Sequence, residues 1–129
     1  MSELEDELAV RRLTARYCHV VDEQRMDDLL ALFAEDATVT IMGQTYVGHA
    51  GVREWNPGAF SGKHVTANLL VTFEGDDATG RADWLFFLPG EGGQVALAAA
   101  GVYHDRYRRT GDGWQFVRRE IELLGQPAV

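Results

Sequence analysis

"HVTANLLVTFEGDDATGRADWLFFL", residues 64–88, alternates along two arms that flank Gly75-Asp76-Asp77. Period-two alternation rich in β-branched and aromatic residues, broken by glycine and aspartate, is the pattern of two antiparallel strands joined by a tight turn. In the first arm His64, Thr66, Asn68, Leu70 and Thr72 share one face, and Val65, Ala67, Leu69, Val71 and Phe73 the other, because successive strand side chains point to opposite sides. The second set reads as a dry core face. In the second arm Arg81, Asp83, Leu85 and Phe87 oppose Ala82, Trp84, Phe86 and Leu88. A carboxylate sharing a face with Leu85 and Phe87 is the mixture expected of a pocket wall rather than of a charged exterior.

Working outward, the same period continues in "QVALAAAGVYHDRYRRT" (94–110) and "GWQFVRREIELL" (113–124). There Gly101, Tyr103, Asp105 and Tyr107 share one face, opposite Val102, His104, Arg106 and Arg108. Upstream the pattern changes to helix. Ser2 followed by Glu5 forms an S-x-x-E box, and acidic residues fill the first turn, so a helix is expected over residues 3–21. Wound at ~100° per residue, it gathers Val10, Leu13, Tyr17, Val20 and Val21 on one apolar face. A second helix is expected in "MDDLLALF" (26–33), a strand in "AEDATVTIM" (34–42) and a short third helix in "HAGVREW" (49–55). Helices first and strands later predict a single α+β domain over residues 1–129, with a largely antiparallel sheet.

Composition excludes several classes. A net charge of −8 argues against nucleic acid or an anionic membrane as partner, since both need a basic surface. A single cysteine, Cys18, excludes an internal disulfide framework and a cysteine-rich metal site, and fits a reducing compartment such as the cytoplasm. No apolar run is long enough to span a bilayer. There is no H-E-x-x-H and no G-x-S-x-G, and the glycines of "PGEGG" open no helix. The expectation is a protein without metal or cofactor.

What remains is a set of polar residues embedded in apolar patterns. Tyr17 faces inward and can be either a core tyrosine tied to a backbone carbonyl or a donor in a pocket. Asp22 lies roughly 140° around the helix from it, so spacing alone does not place the two together. His19, His49 and His104 read as surface residues. Exposed apolar residues on the later strands, Val95, Leu97 and Val102, would be covered in a homodimer.

The opening helix "RRLTARYCHVVDEQRMDDLLALFAEDATV", the segment "YVGHAGVREW", the histidine-led hairpin and the closing "GVYHDRYRRTGDGWQFVRREI" together resemble the SnoaL-like branch of the nuclear transport factor 2-like superfamily. The resemblance spans nearly the whole chain. It implies a cone: three N-terminal helices enclosed by a strongly bent, mostly antiparallel sheet, with an apolar cavity open at one end and dimerisation through the outer face. Within that branch the pattern is most similar to scytalone dehydratases and bile-acid 7α-dehydratases. The resemblance implies catalytic roles for Tyr17, Asp22, His64 and Asp83, and a ligand-facing role for Arg119, a better match than Arg118.

Elimination of water β to a carbonyl needs a base, an acid for the leaving hydroxyl and donors for the enolate oxygen. His64 is the expected acid and base, with Asp22 or Asp83 holding its tautomer, and Tyr17 the expected donor. Asn68, Trp84, Leu85, Phe87, Tyr103 and Arg119 are the expected substrate contacts, for a small apolar, polycyclic or terpenoid-like molecule. Two alternatives share these residues: proton transfer of the ketosteroid-isomerase kind with Asp22 or Asp83 as base, and a non-catalytic module that binds a hydrophobic ligand.

Overall fold

The computed structural model describes residues 2–111 and 113–125. Its elements are α1 (Glu3–Asp22), α2 (Met26–Ala31), β1 (Phe33–Ile41), β2 (Gln44–Val47), α3 (Gly48–Trp55), β3 (Lys63–Glu74), β4 (Asp77–Pro89), β5 (Val95–Thr110) and β6 (Gly113–Leu123), with a 3-10 turn at Glu91–Gly93. The six strands form one curved sheet in the order β2-β1-β6-β5-β4-β3, in which β1 and β6 run parallel and every other pair antiparallel. The helices pack against it, giving the expected α+β cone.

The N-terminal box forms as read: Ser2 Oγ accepts from the Glu5 amide at 3.1 Å, and Glu5 accepts from the Ser2 amide at 3.3 Å. The predicted apolar stripe of α1 is buried, together with Thr14 and Cys18. Asp6 does more than complement the helix dipole. It is buried, receives two bonds from Arg109 at 2.6 and 2.7 Å and one from the Trp114 indole at 3.0 Å, and so pins the start of α1 to the β5–β6 hairpin. The Arg109 guanidinium holds its carboxyl below the usual range.

β2 has no counterpart among the expected strands. Met42 and Gly43 both adopt positive φ, 49° and 76°, in a two-residue turn that closes Ile41 onto Gln44. That is the backbone of a type I′ hairpin, but Met-Gly lacks the asparagine or aspartate that usually announces one. Two glycines on the inner face make room for aromatic rings. A Cβ on Gly101 would meet the Glu122 carbonyl and Trp84 Nε1, and one on Gly80 would lie 2.7 Å from the Tyr107 ring.

The largest departure lies inside the opening stretch. Ala67 pairs with Asp83, but the next paired residue is Leu70, opposite Arg81. Two residues of β3 therefore face one of β4, a β-bulge, and Asn68 takes φ 57° to make it. The extra residue reverses the side-chain alternation. His64 and Thr66 turn inward before the bulge, and Leu69, Val71 and Phe73 after it, while Val65, Ala67 and Asn68 are exposed. A uniform dry face for β3 is thus corrected: it changes sides at Asn68.

A left-handed backbone suits asparagine and glycine and penalises other residues by about 1–2 kcal/mol. Asn68→Val is therefore expected to cost that much in urea unfolding and Asn68→Gly clearly less. Equal cost for the two would count against a bulge held by backbone conformation.

Candidate active site

The site begins where α1 ends. Asp22 is the last residue of that helix, and its carboxylate accepts the backbone N–H of His64 at 3.0 and 3.1 Å. The same carboxylate lies 2.7 Å from His64 Nδ1. An ionised carboxylate can only accept, so Nδ1 carries the hydrogen of this contact, and Nε2 is the nitrogen that the neutral tautomer leaves without one. Both side chains are mostly buried, at 12% and 15% exposure. The helical angle that separates Asp22 from Tyr17 is spanned by the histidine: the His64 and Tyr17 rings meet edge to face at 6.3 Å, and Phe86 covers His64 at 4.5 Å.

His64 borders a cavity of about 320 Å³ whose other walls are mainly aromatic: Tyr17, Trp55, Trp84, Phe86 and Tyr103, with Tyr46, Met42 and Phe60 also lining it. Tyr17 stacks on Trp55 at 6.4 Å, and Trp84 on Tyr103 at 5.8 Å, so the walls are rigid plates. A larger concavity of about 400 Å³ lies between α1 and β3, with Asp22 and His64 also in its wall. Its lining mixes polar side chains such as Arg11, Thr14, Lys63 and Thr66 with Ala15, Cys18, Val65, Ala67 and Leu69, and it lacks the enclosing aromatic plates of the first. The aromatic cavity is therefore the candidate place for a ligand facing the imidazole.

Beneath the cavity lies a buried charge pair. Arg119 donates through Nε and Nη2 to Asp105 at 2.9 and 2.8 Å, with both side chains fully buried. Its guanidinium carbon sits 3.6 Å from the Tyr103 ring centre and 4.4 Å from those of Tyr17 and Phe116. Tyr107 donates its hydroxyl to Asp105 at 2.9 Å. Burial pushes the Tyr17 phenol up to about 12, with the Arg119 charge opposing it, and holds the Tyr103 and Tyr107 phenols high as well.

Of the residues singled out in the sequence, Tyr17, His64, Trp84 and Tyr103 border the cavity, and Asp22 stands behind His64. The others are placed elsewhere. Asp83, Leu85 and Phe87 lie on the outer face of β4, because the inner face is the one carrying Ala82, Trp84 and Phe86. Asn68 is outward too, a consequence of the bulge, and its amide donates to Asp83 at 2.7 Å. Arg119 lies under the cavity floor rather than in its lining. His49 is half-buried and bonds the Phe33 carbonyl at 2.9 Å, while His104 is exposed beside Glu122. Phe86, read from the sequence as a pocket lining, is a wall, whereas sequence reading missed Trp55 as a wall and Asp105 as the Arg119 partner. The shared strand face of Tyr103, Asp105 and Tyr107 was the signal for the last. Among the described residues no three His, Cys, Asp or Glu side chains are grouped to hold a metal ion, and no helix is long and apolar enough to cross a membrane.

A cone of this topology, with a cavity between the helices and a curved sheet, defines a protein of the nuclear transport factor 2-like superfamily. A SnoaL-like domain profile matches residues 2–120, and the chain belongs to that family. Among solved structures it is similar to a nuclear transport factor 2-like protein with a cystatin-like fold from Novosphingobium aromaticivorans, 31% identical over 97% of this chain and 86% of that one, TM-score 0.87. It is also similar to a hexachlorocyclohexane dehydrochlorinase (LinA) of type 2, 26% identical over 98% of this chain and 90% of that one, TM-score 0.81. An uncharacterised protein of Mycobacterium tuberculosis is 26% identical over 126 residues, 92% of this chain and 86% of its own length.

Three buried phenols set a pH limit. The folded state keeps Tyr17 protonated up to about 12, whereas the unfolded chain releases that proton near the ordinary tyrosine value of 10.0. Between those values the unfolded state binds fewer protons, so stability falls as pH rises. The thermal midpoint is expected to hold below pH 10 and to drop between pH 10 and about 12, less so in Tyr17→Phe. An identical alkaline drop in Tyr17→Phe would remove Tyr17 from that linkage.

Proposed function

We propose that the protein is a small-molecule lyase of the dehydratase type, acting without a cofactor on a neutral apolar ring compound, with His64 as general base and acid. The observation that carries this reading is the Asp22–His64 dyad set in the wall of an otherwise apolar, aromatic cavity. Nε2 of His64 removes a proton from a ring carbon, and the imidazolium so formed is stabilised by the Asp22 carboxylate. The same Nε2–H then protonates the departing hydroxyl, which leaves as water and returns the imidazole to its starting state. Tyr17, kept protonated by burial, donates to the oxygen on which negative charge develops. The similarity to a dehydrochlorinase supports elimination as the reaction class.

The substrate is neutral on this reading because the cavity lining offers no free charge to match one. It is polycyclic or terpenoid-like because flat aromatic walls fit a ring system. The isomerase alternative is less well supported: it needs a carboxylate base in the cavity, but Asp22 is engaged by His64 and Asp83 faces outward. The exposed apolar residues Val95 and Leu97, at 68% and 56%, support a homodimer, although Val102, also expected to be exposed, is half-buried; sedimentation at twice the chain mass is the expected result.

His64→Ala is the decisive variant. Asp22 keeps the His64 backbone N–H as partner in that variant, so no buried carboxylate is orphaned and the thermal midpoint should change little. Turnover of cyclic β-hydroxy ketones, followed as loss of water by mass spectrometry, should fall by roughly 10²- to 10⁴-fold. Ligand retained by both proteins with no turnover by either would instead establish a binding module.

A further inference from the structure

The buried pair under the cavity is not used by the dyad, and its geometry is asymmetric. Asp105 occupies the Nε–Nη2 edge of the guanidinium and faces Tyr107, whose hydroxyl it accepts. The guanidinium carbon is stacked against the two tyrosines that line the cavity. Nη1, at the corner away from Asp105, is buried with no hydrogen-bond partner. The two charges are therefore unequal in what they reach. Burial raises the Tyr107 phenol and the carboxylate raises it further, against the Arg119 charge, while burial raises the Tyr17 phenol and the guanidinium opposes that rise.

We propose that Arg119 and Asp105 form a fixed dipole beneath the cavity, its positive end turned to Tyr17 and Tyr103, that makes these two phenols the oxyanion-stabilising donors of the site. Neither charged residue touches the ligand. Both are positioning residues that act through the tyrosines, and Asp105 sets the strength of the field by partly neutralising Arg119. This deepens the function proposed above: the favoured substrate is one whose reaction places negative charge on an oxygen, an enolisable ketone, rather than one activated only by its leaving group.

The probe is 4-nitrophenol, which ionises near neutrality and reports phenolate by its colour, with 4-nitroanisole as a neutral analogue that cannot ionise. The measured quantity is the pKa of the bound probe, which does not depend on the fraction of protein folded. In the wild type it should fall below its value in water. In the double variant Arg119→Met with Asp105→Leu, which removes both charges while keeping an apolar pair of similar volume, the phenolate preference should drop about tenfold, equivalent to about one pH unit. Asp105→Asn leaves the cation uncompensated and should strengthen the preference while lowering the thermal midpoint. A merely structural pair would move the thermal midpoints without this ordering. The proposal is overturned if the wild type and the charge-free double variant show the same phenolate preference. Binding of 4-nitroanisole without any phenolate preference overturns the dipole alone, whereas failure of the wild type to bind either probe overturns the cavity as a ligand site as well.

Discussion

One carboxylate joins the two halves of this fold. Asp22 ends the first helix and accepts both the backbone and the ring N–H of His64, the second residue of the third strand and 42 residues further along the chain. Without it, the backbone N–H and the ring N–H of His64 would each be left without a partner in a mostly buried site, at a cost of roughly 1–3 kcal/mol for each unpaired group. With it, the imidazole is held in one orientation, its tautomer is set, and its free nitrogen is left on the ring that borders the cavity. The same three hydrogen bonds join the fold and orient the ring, so the imidazole is positioned by backbone as well as by side chain.

The aromatic plates around the cavity follow from where the sheet admits them. Gly101 leaves the space in which Trp84 lies, with its indole donating to the Glu122 carbonyl at 3.3 Å, and Trp84 in turn stacks on Tyr103. Tyr17 then contacts Phe33, Trp55, His64, Tyr103 and Phe116, all with ring centres within 6.4 Å. Such a ring cannot shift without displacing its neighbours, since interiors are packed at crystal density. Tyr17 is consequently both readings at once, a core tyrosine by burial and a cavity wall by position.

Legibility followed locality. The N-terminal box, the α1 stripe, the hairpin at Gly75-Asp76 and the inner face of Tyr103, Asp105 and Tyr107 are all decided within a few residues, and the sequence shows them. The Asn68 bulge is not of that kind. Nothing in the alternation of Val65 to Phe73 marks an inserted residue, because the bulge is settled by pairing with β4, and a single added residue sends every later side chain to the opposite face. That one position is why His64 and Asn68, same-faced by count, end on opposite sides of the sheet. The outward placement of Asp83 is a separate matter: β4 alternates as read, but its aromatic Trp84 and Phe86 take the inner face and leave the carboxylate outside.

The Arg119–Asp105 pair was visible only as two residue types on two strands, and its meaning depends on what surrounds it. Taking two charges out of water costs several kcal/mol each, and an apolar pair of similar volume commonly serves stability as well or better. Here the cost is raised further, because Nη1 has no partner among the described residues. Two bonds to Asp105 and three aromatic rings around the guanidinium offset part of it. Packing alone would be satisfied by leucine and methionine at these positions. A guanidinium placed directly under the two cavity tyrosines, with its counter-charge turned away toward Tyr107, is what an electrostatic role at the cavity floor requires.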